Sequence, residues 1–564
     1  MKKRSIRAIL CSFVCLALLL PASVYAAPDI SDIMNAEGLP ILKQDAQMPE
    51  ITMFIAANPL LPEELNDTMW VKYAAEKTGI TFDWLKNPSE GALEKANLLL
   101  ASGDYPDVFW NTIDASVISQ YIDSGIFIPT QDLVEQYMPN LKKIFEERPE
   151  YKAMCTAPDG NMYGFPYIEE MKGLVNTPGA MIINKDWLDQ LGLPVPTTLD
   201  ELADAMRAMK GKDLNGNGLD DEYPMAFNFM QNGDFGSQNI FCSIAGCFGQ
   251  GIPIVGQQDD FLTAKEGKLV YTATLDAYKD TVAWFHQMYQ EGLIDPASFS
   301  PSSNPRGIIV DKMNQGVAQI GVCGTWNRMS AVPDGAVREQ YVALPRLQGP
   351  QGMSGVENNF SELQLPTACA ITDACEYPEL VARFVDFCYA PYESIYLNWG
   401  MPEYIFVQKE NGLIGYDFDE NGQPNLKDGF ASFADMRNFC TPVKGSLAIL
   451  SDYYDTILEY PVDTMKYLLE GQITNGKYEI MDEFEALPRL FFLQEEQNTI
   501  SQIVPQLKNI VSSYSAKWMM DGGVDEEWDA YLKDLNAAGL DEYLRIYQTV
   551  YDRYLASLKA AGNN

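Results

Sequence analysis

At 564 residues the chain is too long for a single ordinary domain, and a hydrophobic content of 47% with 12% aromatics excludes a largely disordered protein. With 78 acidic against 40 basic residues the net charge is −38, a field that repels nucleic-acid phosphates and anionic lipid headgroups. A single histidine argues against a zinc centre.

Residues 1–26 read as a secretory signal: Lys2, Lys3, Arg4 and Arg7, an apolar core over 8–20, helix-breaking Pro21, and Val24-Tyr25-Ala26 at the expected cut. The apolar core is shorter than the roughly 20 residues a membrane span needs. Removing it takes away four bases and no acid, leaving a net charge of −42. Cys11 and Cys15 lie inside the core and neither follows the small residue of a lipobox, so export to the periplasm or the extracellular surface without a lipid anchor is expected. Export permits disulfides. The remaining Cys155, Cys242, Cys247, Cys323, Cys369, Cys375, Cys388 and Cys440 form no CxxC and are expected mostly as buried thiols, with one or two bridges.

A first strand is expected over 50–56, a helix over 63–77 closed by Gly79, a second strand over 80–84, a helix over 93–101 and a third strand over 106–110. Such alternation indicates a parallel sheet covered by helices, with ligands beyond the carboxyl ends of the strands. That places the loop 57–61 and Trp110-Asn111 near any cleft.

Residues 180–183 start another strand, and Thr198 with Glu201 spells a capping box. The helix that follows, with Leu199, Leu202, Met206 and Met209 on one face, ends at Gly211. The run Asp213-Leu-Asn215-Gly-Asn217-Gly218-Leu219-Asp220-Asp221-Glu222 comes next, with side-chain oxygens at alternate positions and a glycine at the bend. Such a loop suits a hard cation that takes six to eight oxygens. The expected ligands of a structural Ca2+ are the side chains of Asp213, Asn215 and Asn217, the Leu219 carbonyl, and Asp221 with Glu222. The loop opens like an EF-hand but has Pro224 where an EF-hand closes on glutamate.

Further strands are expected over 268–272, 316–324, 341–345 and 365–372, and amphipathic helices over 275–291 and 377–389. From 446 to 558 the pattern is helical, and Trp518 and Trp528 at helical spacing read as core.

The stretch N-K-D-W-L-D-Q-L-G-L-P-V-P-T-T-L-D-E-L followed by D-L-N-G-N-G-L-D-D-E resembles the extracellular solute-binding protein family 1, in particular its large LipO-like and alginate-binding members. D-Y-P-D-V-F-W (104–110), Y-G-F-P-Y (163–167) and L-N-W-G (397–400) extend the resemblance over nearly the whole mature chain. It implies an α/β, periplasmic-binding-protein-like fold of class II, with two lobes joined by a multi-crossing hinge and a helical C-terminal extension. The expected division is 27–170 plus 360–395 for lobe 1, and 171–359 plus 396–564 for lobe 2. The resemblance also implies that the ion is structural and sits away from the ligand.

Sugar rings have apolar faces and hydroxyl edges, which suits aromatic rings beside amides and carboxylates in a preformed cleft. Trp110, Trp326 and Trp399 each sit beside an asparagine: Asn111, Asn327 and Asn398. Trp326 and Trp399 fall where the family's stacking aromatics occur. Tyr167 and Tyr404 join them by resemblance, with Arg328 and Glu403 as polar partners. The expected protein is therefore a monomeric receptor that closes on an oligosaccharide and delivers it to an ABC permease in the membrane.

Two alternatives stay open at this stage. One is a secreted glycoside hydrolase, which needs only two carboxylates. The other is a peptide receptor of the same shape. No nucleophile elbow, Walker sequence or G-x-G-x-x-G after a strand appears, and His286 falls within an expected helix.

Overall fold

Short apolar runs supply strands β1 (Thr52–Ala57), β2 (Asp83–Pro88), β3 (Val108–Trp110), β4 (Phe165–Glu169), β11 (Leu363–Ile371) and β14 (Ala448–Ile449). They form one six-stranded sheet in the order β14-β4-β11-β3-β1-β2. The computed structural model describes residues 29–170, 180–227, 229, 240–249, 261–299, 307–313, 315–325, 328–352, 363–402, 404–419, 424–430, 432–442, 447–459 and 487–560. The expected signal segment lies outside them.

β1 runs parallel to β2 and β3, whereas β11 is antiparallel to both β3 and β4. One face of this sheet is covered by the helix Pro378–Tyr389, whose Leu380, Val381, Phe384 and Val385 are buried. On the other face Phe54 and Phe109 pack with Ala96 and Leu100. β2 begins at Asp83 rather than at Ile80 because Ile80 and Phe82 fill the core before pairing with β1 starts at Thr52–Asp83.

The second sheet contains β5 (Ala180–Asn184), β6 (Tyr223–Met225), β9 (Ile320–Thr325) and β10 (Tyr341–Ala343) in the order β10-β5-β9-β6. Its core takes Trp187, Leu202 and Met206 from one side and Tyr278 and Phe285 of the helix Asp276–Gln290 from another. The hairpin of β7 (Leu262–Lys265) and β8 (Lys268–Tyr271) turns through Glu266 and Gly267, both at positive φ, as a two-residue turn of matching twist requires. The helices Gln494–Asp521, Val524–Ala537 and Leu540–Ala560 complete this core, with Trp518 and Trp528 inside it.

One part of the expected division is corrected by the packing. Residues 396–459 belong with the first sheet, not the second. Leu397, Ile405, Phe406, Met436 and Leu458 share its core, and β14 joins its edge. A small sheet of β12 (Phe406–Gln408), β13 (Ile414–Tyr416) and β15 (Leu458–Glu459) sits in the same region. The apolar residues after the helix Pro391–Trp399 find their burial in the core of the first sheet, which no local pattern announces.

The chain leaves lobe 1 after β4, returns at β11, and leaves again after β15. The three passages, 171–179, 353–362 and 460–486, lie outside the described residues. The first joins the carboxyl end of β4 to the amino end of β5, and nine residues reach at most about 30 Å. The second returns to the amino end of β11, on that same edge of the first sheet. Both passages therefore meet the first sheet at one edge, and that edge is the lobe 1 side of the seam. Beyond the third, Leu490 and Phe492 enter the lobe 2 core while Phe491, pointing the other way, joins Phe54 and Phe109 in lobe 1.

Seven cysteines are free thiols, six of them buried: Cys155, Cys247, Cys323, Cys369, Cys388 and Cys440, with Cys375 partly so. No bridge is present among the described residues, and the side chain of Cys242 is outside them.

Candidate functional site

On the lobe 1 edge of the seam, β3 ends in Trp110-Asn111, and the structure separates this pair. β3 is flanked by strands and covered on both faces, so Trp110 is 2% exposed, with Phe384 edge-on at 6.1 Å and Trp84 at 6.2 Å. No ring face remains for stacking a sugar, and Trp110 is corrected to a core residue. Asn111 turns out of the strand at φ +46°, a region few residues other than glycine adopt, and its N–H donates to the Ala368 carbonyl at 2.5 Å. Its Nδ2 is buried with no hydrogen-bond partner.

Tyr167 stands half-buried on β4 opposite Leu365, its hydroxyl 3.4 Å from Glu169 Oε2. Next to it, buried Glu170 accepts from Arg148, from the Tyr151 hydroxyl at 2.8 Å and from the Ser451 N–H at 2.8 Å, fastening β4 where the chain departs for lobe 2.

Trp399 reaches the same edge by a different route. The helix Met69–Thr78 follows β1 and so starts at the carboxyl edge and runs away from it. The helix Pro391–Trp399 packs against it in the opposite sense. Glu393 lies near Lys77 and accepts from the Tyr73 hydroxyl at 2.9 Å, and Tyr396, one turn on, meets the Tyr73 ring at 6.1 Å. Its last residue, Trp399, is thereby delivered to the seam side. Gly400 reverses the chain at φ +117°, a backbone conformation that side-chain-bearing residues rarely adopt, which favours glycine there.

The Trp399 ring is half-buried and carries the Arg437 guanidinium over one face, 4.7 Å from the ring centroid. Arg437 Nη2 donates to Asn398 Oδ1 at 2.8 Å. Tyr404 belongs to the same corner, set between Phe430 and Phe439 at 6.4 Å each; burial first and then the Cys440 thiol push its phenol pKa up. Glu403 lies outside the described residues.

In lobe 2, β9 ends at Thr325, paired with Ala180 at the start of β5 and hence on the seam. Trp326 and Asn327 follow immediately and lie outside the described residues. The Arg328 guanidinium is turned inward: it donates to the Tyr341 carbonyl at 2.8 Å and stands 3.7 Å from Glu339. These contacts tie it to the strand β10 of its own lobe.

The capping box forms as read, with Glu201 accepting from Thr197 and Thr198 and its carboxyl held below the ordinary value by those bonds. Asp213 Oδ2 accepts from Gly218 N–H at 3.0 Å, Asn215 Oδ1 from Asn217 N–H at 3.0 Å, and Asn217 Oδ1 from Leu219 N–H at 2.8 Å. These bonds curl the loop back on itself. Asp221 receives amide donors from Asn215, Asn217 and Gln319. Burial alone raises its carboxyl pKa, but these donors outweigh it and hold it below the ordinary value. Glu222 is buried and accepts from Leu214 and Asn215 N–H at 2.8 and 3.0 Å, bracing the entry of the loop. Among the described residues no three acidic, histidine or cysteine side chains are grouped to hold a metal, so any ion here relies on amide and carbonyl oxygens as well. The loop precedes β6, which runs parallel to β9 toward the seam, so it lies at the far end of lobe 2.

Sequence reasoning missed Arg437. It sits mid-helix in Phe433–Cys440 with no motif around it, and only the fold brings it to Trp399.

Residues 57–391 match the family model described as bacterial extracellular solute-binding protein. The chain is 35% identical over 508 residues to the fructooligosaccharide ABC transporter substrate-binding protein FusA of Streptococcus pneumoniae serotype 4, covering 89% of this chain and 90% of that protein. The solved structure of FusA in complex with kestose superposes with a TM-score of 0.73 at 32% identity, covering 90% of this chain and all of that one. A polygalacturonan/rhamnogalacturonan-binding protein of Bacillus subtilis, YtcQ, is 24% identical over 84% of this chain and 86% of its own length. Two α/β lobes meeting at a seam, together with these similarities, establish that the chain belongs to the bacterial extracellular solute-binding protein family.

Proposed function

We propose that this protein is the substrate-binding component of an ABC importer, that it closes its two lobes on an oligosaccharide, and that it passes the sugar intact to a membrane permease. The observation that carries this reading is the buttressed Trp399 at the lobe 1 edge of the seam, in a chain 35% identical to FusA along nearly its whole length. FusA binds kestose, and short fructooligosaccharides are the first ligands to try. The indole offers an apolar face to a sugar ring, and Asn111, Tyr167 and Tyr404 supply hydrogen-bonding groups near the same edge. Trp326 and Asn327, next after β9, are assigned the matching role from lobe 2. Affinity for the closed form over the open one is the quantity a permease reads.

It is a binding protein, not an enzyme, as its relatives are. The single histidine, His286, is engaged with the Met519 carbonyl between two helices and takes no part in a triad. Export, expected from residues 1–26, agrees with an extracellular family. No helix among the described residues is long and apolar enough to cross a membrane.

The 213–222 loop is assigned to Ca2+. What supports this is the loop's own chemistry: the Asn215 and Asn217 amides meet Asp221, Asp213 accepts from the Gly218 N–H, and Glu222 braces the backbone, so Asp213, Asn215, Asn217, Asp221 and the Leu219 carbonyl are the groups that would hold the ion. A bound ion supplies stability at the far end of lobe 2 and leaves the seam untouched. Calorimetric titration with kestose, nystose and unrelated oligosaccharides tests the whole reading. Saturable binding of at least one, with the ligand recovered unbroken, supports it; hydrolysis, or no heat with any, overturns it.

A further inference from the structure

The C-terminal helices belong to lobe 2 by their packing, yet they also touch lobe 1. The Tyr278 and Ser515 hydroxyls share a hydrogen bond of 2.6 Å, which fastens the helix Gln494–Asp521 to lobe 2. Gln548 accepts from the Leu269 N–H at 2.9 Å and donates to the Gly267 carbonyl at 3.0 Å, which fastens the helix Leu540–Ala560 there as well. The first of these helices also lies against Ala115–Tyr121 of lobe 1, and the second against Pro149–Cys155 of lobe 1. At the second contact Tyr554 is half-buried, and burial first and then the Glu150 carboxylate push its phenol pKa up. The extended run 487–493 that enters the first helix places Phe491 in the lobe 1 core, 5% exposed, with Phe54, Phe109, Ala96 and Leu100. Leu490 and Phe492 on either side of it lie in the lobe 2 core. The backbone that presents this ring is held from lobe 2. Glu496 accepts from the Leu493 N–H at 2.7 Å and from Arg553 Nη2 at 2.7 Å, and Arg553 Nη1 reaches the Phe491 carbonyl at 3.5 Å.

A side chain of lobe 2 is thus planted in the core of lobe 1. Withdrawing a phenyl ring from a core exposes it and leaves a cavity, a penalty of about a hundredfold or more in a conformational equilibrium. A motion repeated with every ligand avoids that penalty when one lobe turns about the ring. We propose that Phe491 is the seated pivot of lobe closure, presented by Arg553 and Glu496, and that it limits how widely the empty protein opens; this rests on the lobe-closure reading above. With the ring removed, open arrangements of the empty protein multiply, while the closed form is still held by the sugar. Closing then loses more conformational entropy, and the sugar binds more weakly. A ring that instead left lobe 1 on closure would oppose binding, and its removal would have the opposite sign.

The test uses the full mature chain with kestose, or the tightest sugar found by calorimetry, on wild type and F491A, with melting temperatures taken in parallel. F491A is expected to bind about threefold to tenfold more weakly. In small-angle scattering, sugar-free F491A is expected to have a larger radius of gyration than sugar-free wild type, with the two equal at saturation. A residue that only stabilises lobe 1 would leave both radii at the wild-type values. If F491A melts too low to be assayed, the intact chain with 4-fluorophenylalanine in place of Phe491 decides the matter: its fluorine resonance is expected to stay at a buried position throughout the sugar titration. Tighter binding by F491A, an affinity or a sugar-free radius equal to wild type, or a fluorine signal that moves to the solvent-exposed position when sugar binds overturns the proposal. Failure of wild type to bind any sugar, or an unchanged wild-type scattering curve at saturation, sinks the closure reading itself.

Discussion

Trp110 and Trp399 have the same sequence neighbourhood, an asparagine alongside and an apolar run before, yet they end in opposite settings. Trp110 closes a strand in the middle of a sheet, where helices cover both faces, and its ring becomes core. Trp399 closes a helix on the flank of that sheet, where the chain reverses at Gly400, the ring stays half-buried and the Arg437 guanidinium lies over it. A tryptophan at a strand end is thus a poor guide to a ligand platform unless its strand lies at an edge. What decides is how many layers surround the position, a property of the fold that pairs of neighbouring residues do not encode.

The largest expected effect separates the two directly. Trp110→Ala leaves a cavity beside Phe384 and Trp84 and should cost about 3–5 kcal/mol of stability in urea melts. A loss under 1 kcal/mol would mean that the ring is not in the core.

The helix that packs against Trp110 carries the next prediction. Asp386 is buried, which raises its carboxyl pKa to about 6 despite donors from Leu141 and Asn140. The folded state then holds this proton more tightly than the unfolded one. Its contribution is fully present below pH 3.8 and is lost as pH rises through about 6. Relative to Asp386→Asn, the wild type should lose on the order of 3 kcal/mol between pH 4 and 7.5. Parallel stability curves for the two proteins would contradict the shift.

Third, chelation should lower the melting temperature, by the equivalent of about 2.7 kcal/mol if Ca2+ had been present at 100 times its dissociation constant. Sugar affinity should stay within twofold, since the loop and the seam are at opposite ends of lobe 2. Loss of binding in still-folded protein would place the ion at the ligand.

The smallest stability effect is expected where the binding effect is greatest. Trp399→Ala should weaken oligosaccharide binding about tenfold to a hundredfold while shifting the melting temperature little. A fall in stability as large as that for Trp110→Ala would erase the distinction between core and platform.

The capping box, the oxygen-rich loop and the order of strands and helices were legible in the sequence because each is written in local spacing: Thr198 to Glu201, Asp213 to Asn215 to Asn217. The placement of 396–459 in lobe 1 and the pairing of Arg437 with Trp399 were not, since they depend on contacts between segments far apart in the chain.

Small-angle scattering of the mature chain, with and without saturating kestose or the tightest sugar found by calorimetry, tests the central claim most directly. Lobe closure predicts a smaller radius of gyration on binding, reversed when the sugar is dialysed away intact. An unchanged scattering curve at saturation, or recovery of the sugar in fragments, would contradict it.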